Sequence, residues 1–114
     1  MALLCLVSGC AAPVCQPMLE ARLFFGLTDE AGFVDFLDRE VTPRFPAGLT
    51  VLDGAGRWRD SSGRPTQERS RVVDIVTVAG ADTEARLEAI RAAYKTRFRQ
   101  QSVGLVLQRV CADF

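Results

Sequence analysis

The sequence has no histidine, one lysine (Lys95), one tryptophan (Trp58) and one tyrosine (Tyr94). Without histidine, His-containing zinc sites and Ser-His or Cys-His catalytic pairs are excluded. An enzyme built on this chain would have to move protons with Asp, Glu, Arg, Tyr or Cys. Net charge is lacking too: 14 basic side chains balance 14 acidic ones, with no long block of either sign. Nucleic-acid binding draws its affinity from clustered cations, so no nucleic-acid partner is expected. The preference for arginine over lysine is read as genome composition, not phosphate recognition. The acidic residues lack EF-hand spacing. Asp53-Gly54-Ala55-Gly56 lacks the Walker spacing and its following Lys-Ser/Thr. No metal and no cofactor are expected. Beyond the N-terminus there is no apolar run of membrane-spanning length, no internal repeat and no low-complexity tract.

A chain of 114 residues, 48% of them hydrophobic, is a single globular domain with a core of useful size. Its first residues read as the end of an export signal. Residues 2–7 are almost wholly apolar, and Val7-Ser8-Gly9-Cys10 matches the bacterial lipobox, in which small residues precede a cysteine that receives lipid. No Lys or Arg precedes the run, and it is shorter than an h-region of roughly 7–15 residues; a start site annotated too far downstream accounts for both. The competing reading is a frayed apolar N-terminus. The expected organisation is a signal remnant (1–9), a tether (10–21) and a domain (22–114). The mature protein is expected to face the periplasm, on the membrane only through lipid at Cys10. Cys15 and Cys111 then remain, in a compartment that permits a disulfide. The alternative is two unrelated thiols.

Along the chain, residues 22–27 form a compact aromatic-rich strand, with Leu23, Phe25 and Leu27 on one face and Arg22 and Phe24 on the other. Thr28-Asp29-Glu30 supplies a helix start, and Phe33, Phe36, Leu37 and Val41 make one helical face. Pro43 ends that helix. Residues 49–60 read as a long, interrupted strand, in which Asp53-Gly54-Ala55-Gly56 is a bulge or a tight hairpin of its own, the bulge being preferred because the turn signal at residues 61–65 is stronger. A turn at residues 61–65 and a β-branched returning arm over 72–78 complete a hairpin. A second helix, capped by Asp82 or Thr83, buries Leu87, Ile90, Tyr94 and Phe98, and a last strand covers 103–114. The order β-α-β-β-α-β predicts an α+β, ferredoxin-like fold: a four-stranded antiparallel sheet with two helices on one face. The last strand then pairs with the first, which makes a Cys15–Cys111 bridge geometrically possible. The sheet's second face is left open with Phe24 on it, and a homodimer is expected by fold analogy.

The densest constraint lies in the connection over residues 41–58, which holds two prolines, three glycines and the only tryptophan. Together with Phe24-Phe25-Gly26-Leu27, Glu68, Ser70, Tyr94, Phe98 and Gln100-Gln101-Ser102-Val103, its Val41-Thr42-Pro43-Arg44-Phe45-Pro46 and Gly48-Leu49-Thr50-Val51 resemble a bacterial family, domain of unknown function 3574. The resemblance covers the chain from about Arg22 onward and implies small exported proteins or lipoproteins without assigned activity. Where many members carry a tryptophan in the first helix, this chain has Phe33 or Phe36.

Five residues are candidates for ligand or partner binding. Arg44 offers a guanidinium fork to an anion, or else bonds the carbonyls at the helix end. Phe45 adjoins it. Trp58 is an aromatic anchor or a packed ring. Glu68 is a general acid/base, or the partner of Arg57, Arg59, Arg69 or Arg71 across an exposed ribbon. Tyr94 is a core aromatic with one hydroxyl partner, or a catalytic group. The leading expectation is a non-enzymatic module that binds a small molecule or an envelope protein. The alternative is a cofactor-free isomerase or oxygenase-like enzyme, with Glu68 or Asp74 as base and Arg44 holding a small anionic substrate.

Overall fold

The computed structural model describes residues 14–114. The expected signal remnant, Cys10 and the first residues of the tether lie outside them. Strands β1 (Gln16–Gly26), β2 (Thr50–Arg59), β3 (Pro65–Thr77) and β4 (Gly104–Ala112) and helices α1 (Glu30–Phe36) and α2 (Thr83–Phe98) follow in the order β1-α1-β2-β3-α2-β4. The sheet order is β2-β3-β1-β4, every neighbour antiparallel, so the fold is the ferredoxin-like α+β arrangement.

Alternation along β1 sets the layers. Ala21, Leu23 and Phe25 are fully buried, while Arg22 and Phe24 point to the uncovered face. Val73 and Ile75 of β3 share the buried side with Phe33, Phe36, Val41, Leu87, Ile90 and Tyr94, and these form one core. Asp29 caps α1, its carboxylate accepting from Gly32 N at 3.0 Å. The end of this helix widens into a π turn over Leu37–Val41, where Thr42 N donates to Leu37 O at 2.9 Å. Pro43, with no N–H to give, follows directly.

Three boundaries differ from the sequence reading. The first strand starts at Gln16, inside the expected tether, because residues 16–21 find partners in residues 107–112 of β4. The hairpin has no bulge: Thr50↔Asp74 through Arg59↔Pro65 runs in unbroken register, so Asp53-Gly54-Ala55-Gly56 is ordinary strand. The returning arm is longer than expected and begins at Pro65. Beyond Gly54 and Ser70 the hairpin has no third strand beside it among the described residues and projects as a two-stranded ribbon.

On the uncovered face, Leu52, Val72 and Phe24 form one cross-strand row. The next row carries charge: Arg22 lies 2.9 Å from Glu20 and 3.4 Å from Asp74. At the far end of β1, Cys15 and Cys111 are joined as a disulfide with a Cα separation of 5.3 Å.

Candidate functional site

The central strand is shorter than its neighbour. β1 stops at Gly26, opposite Ser70, whereas the β2–β3 ribbon continues past it. The notch this leaves is closed on its other side by the α2–β4 loop. The result is an open cleft of about 400 Å³, within the range of small-ligand sites. Phe24 and Gly26 supply its floor, Trp58, Glu68 and Ser70 the ribbon wall, and Arg99, Gln100 and Ser102 the loop wall.

Strand alternation explains why Trp58 and Glu68 meet here. Gly56 pairs with Glu68 and Trp58 with Thr66, so both side chains leave the same face as diagonal neighbours. Arg57, Arg59, Arg69 and Arg71 fall on the opposite face, which overturns the expected ion pair with Glu68. Arg71 is instead buried, bridging Glu30 at 2.6 Å and Asp53 at 2.9 Å. Among the described residues no cation lies within ion-pair distance of the Glu68 carboxylate.

Glycine at position 26 makes the floor. A methyl group there would sit 2.7 Å from Glu68 Oε1 and 2.8 Å from Gln100 Oε1. Two acceptor oxygens thus converge over a residue without a side chain. The Gln100 amide nitrogen is turned away, donating a long 3.5 Å bond to Phe98 O. Trp58 remains 54% exposed and Phe24 42% exposed, so both present apolar surface to an incoming molecule.

Tyr94 stands behind the floor. Its ring is fully buried and meets Phe25 and Phe98 at centroid distances of 4.5 Å each. Its hydroxyl donates to Gly26 O at 2.5 Å, pinning the end of β1. Burial, and to a smaller degree the Glu68 charge, push its pKa up to about 12 from an ordinary 10.0. A phenol held neutral in this way anchors backbone and does not serve as a base. An unfolded tyrosine ionises near pH 10, so between pH 10 and 12 the unfolded chain sheds a proton that the folded one keeps. Stability therefore falls across that window, by about 2 kcal/mol for such a shift. Urea unfolding of the parent at pH 9 and pH 11.5 is expected to show the fall, and Tyr94→Phe is expected to lack it. An equal fall in both proteins contradicts the assignment.

The remaining sequence candidates lie elsewhere. Arg44 donates to Glu40 O at 2.8 Å and to Glu40 Oε2 at 2.7 Å, closing the end of the first helix. Phe45 is buried beneath the Arg86 guanidinium, 4.6 Å from the ring centroid. Arg44 thus takes the helix-end role given above as its alternative, and neither residue lines the cleft that holds Trp58 and Glu68. Asp74 sits with Arg22 in the middle of the open face, away from the cleft. A larger open groove of about 790 Å³ lies towards the disulfide end, but it carries none of the candidate residues and no aromatic ring. Among the described residues no group of three His, Cys, Asp or Glu is placed to hold a metal.

Sequence reasoning missed Arg99, Gln100, Ser102 and the floor at Gly26. Gly26 and Gln100-Gln101-Ser102 belong to the motifs that carry the family resemblance, but they gain a place in a site only when the folded loop sits beside the ribbon. Arg99 carried a local signal only in hindsight: it ends α2 at φ 53, a left-handed position where glycine is the usual occupant.

Among solved structures, the fold is similar to a phage SAM lyase in its apo state, with a TM-score of 0.64 at 18% identity over 90% of each chain. The same phage enzyme in complex with S-methyl-5'-thioadenosine matches with a TM-score of 0.63 at 20% identity, over 84% of this chain and 85% of that one. CutA from Synechococcus elongatus PCC7942 matches at 0.61 and 12% identity, over 88% and 83%. Such identities establish a shared fold alone. A search of curated protein sequences finds no match. The family model described as "Protein of unknown function (DUF3574)" matches residues 20–114, which takes in both helices, every strand but the first four residues of β1, and all the residues of the cleft, and the chain belongs to that family.

Proposed function

We propose that the domain is a binding module for a small molecule bearing a flat apolar group and a positively charged hydrogen-bond donor, working at the periplasmic side of a bacterial envelope. The observation that carries this reading is the pair of acceptor oxygens, Glu68 Oε1 and Gln100 Oε1, converging over Gly26 with no cation of the described residues paired to them. A carboxylate left without a partner beside exposed aromatic rings is matched by a cation that bonds the oxygens and lies against the ring face. Glu68, Asp74 and Arg44 occupy three separate places, which favours binding over an isomerase or oxygenase-like reaction needing base and anion clamp together. The lipobox at Val7-Ser8-Gly9-Cys10 supports the envelope location. A second copy is proposed to cover the Leu52–Val72–Phe24 row.

Trp58 is the only tryptophan, so its emission reports occupancy of the cleft directly. Phenethylammonium is one probe. S-Methyl-5'-thioadenosine, which the phage enzyme of similar fold is described as holding, is the uncharged comparison, a flat ring with a neutral amino donor. Phenethylammonium is expected to change the emission saturably, and Glu68→Gln to weaken that binding at least about tenfold, as expected for a lost charge-assisted bond. No saturable change with phenethylammonium, or a change indifferent to Glu68→Gln, contradicts the reading.

A further inference from the structure

Glu68 is one of two opposite charges that line the cleft without meeting. Arg99 lines the loop wall, and among the described residues neither a carboxylate nor a hydrogen-bond acceptor holds its side chain. Elsewhere on the surface, Arg39, Arg44, Arg91 and Arg97 sit within 3 Å of a carboxylate oxygen, whereas among the described residues Arg57, Arg59, Arg64 and Arg109 take no such partner; Arg99 differs from these four in lining the cleft that holds Glu68. A carboxylate and a guanidinium that share one small cleft, yet do not pair with each other, leave a gap with a negative and a positive side.

The backbone at Arg99 is a second and independent sign. It is the sole non-glycine residue at positive φ among the described residues, with φ 53. Just past a helix end, glycine adopts this conformation without hindrance, whereas an L side chain costs about 1 kcal/mol there. A left-handed residue ends many helices, usually as glycine, and where a larger residue takes the position the strain clusters at functional sites. The cost falls on the residue that turns the chain from α2 into the loop wall.

We propose that the ligand of this cleft is a small zwitterion, an ammonium and a carboxylate on one apolar skeleton, as in an amino acid with an aromatic side chain. Its ammonium donates to Glu68 and Gln100 over Gly26. Its carboxylate meets the Arg99 guanidinium. Its apolar part lies against Trp58 and Phe24. Gly26 is the specificity element, since any side chain there would take the place of the ammonium. This inference rests on the small-molecule reading above and sharpens it by adding the anionic half of the ligand.

Three probes of like size separate the two: L-phenylalanine, phenethylammonium with the carboxylate removed, and 3-phenylpropionate with the ammonium removed. L-Phenylalanine is expected to bind at least about tenfold tighter than either relative, the size of one charge-assisted bond. Arg99→Gly is expected to erase its advantage over phenethylammonium, whose own binding holds or tightens as a like charge leaves the cleft. This variant also suits the left-handed backbone, so its melting temperature should hold or rise. Glu68→Gln is expected to erase the advantage over 3-phenylpropionate. If L-phenylalanine binds no tighter than phenethylammonium, or keeps its advantage in Arg99→Gly, the zwitterion is overturned while the cationic-ligand reading stands. If none of the three alters Trp58 emission, both are overturned.

Discussion

Phe25→Ala is expected to lower stability by about 3–5 kcal/mol, the range for removing a large aromatic from a core. Phe25 has no exposed surface, and its ring sits at the centre of a cluster: 5.7 Å from Phe33, 6.1 Å from Phe36 and 4.5 Å from Tyr94, each in edge-to-face geometry. Such pairs contribute beyond buried area, so alanine loses both the transfer energy and the ring contacts, and leaves a cavity between sheet and helices. A domain of this size holds about 5–15 kcal/mol in total, which makes the loss a large share. At about 4–8 °C per kcal/mol, the melting temperature should fall by well over 10 °C. Thermal or urea unfolding checks it. A loss below about 1.5 kcal/mol would show that the cluster is not the centre of the core. Because Gly26 follows Phe25 directly and Tyr94 touches both, the aromatic cluster also sets the height of the cleft floor.

The second large effect concerns the opposite end of β1. The Cys15–Cys111 disulfide closes a loop with a sequence separation of 96 and ties the start of β1 to the end of β4. Chain-entropy reasoning for a loop near that length gives about 4–5 kcal/mol, and measured losses for natural bridges run about 2–5 kcal/mol. Reduction of the parent, or Cys111→Ser, is therefore expected to lower the melting temperature by about 10–20 °C. A reductant should then leave Cys111→Ser unmoved. Ligand affinity should change little, since β1 spans 11 residues between the bridge and the cleft, roughly 35 Å of strand. A reductant without effect on the parent contradicts the role given to the bridge.

The layout of the fold was legible because it rests on periodicity. The buried alternation of Leu23 and Phe25, the helical stripes around Phe33 and Tyr94, and the turn residues near Gly63 are local signals, and their order dictates the topology. The bulge was misjudged because Gly54 and Gly56 weaken the strand signal, yet β3 supplies an unbroken partner for both. The start of β1 was misplaced because residues 16–21 read as a tether until β4 pairs with them.

The candidate site was legible in part. Trp58, Glu68 and Tyr94 converge on one end of the sheet, but Arg44 and Phe45 stood out for a different reason. The crowding of prolines and glycines around them serves a helix end and its return to the sheet, and both side chains are spent inside the protein. Gln100 stood in a family-like motif and Arg99 in none, yet neither could be placed in a site from the sequence, because what gives them meaning is the early stop of β1 at Gly26, a difference in length between neighbouring strands. The same alternation that explains Trp58 and Glu68 also removes the four arginines from the site, which one-dimensional proximity had grouped with them.

The central claim is that the notch beyond Gly26 is where this domain meets its ligand. Backbone amide chemical shifts of the isotopically labelled protein, followed during titration with L-phenylalanine and with phenethylammonium, test it most directly. The account predicts that the largest shifts fall on Gly26, Gly56, Trp58, Glu68, Arg99, Gln100 and Ser102, with Arg44, Phe45 and the disulfide end silent. Shifts centred on Arg44 and Phe45, or on the groove beside Leu107 and Val110, would contradict it.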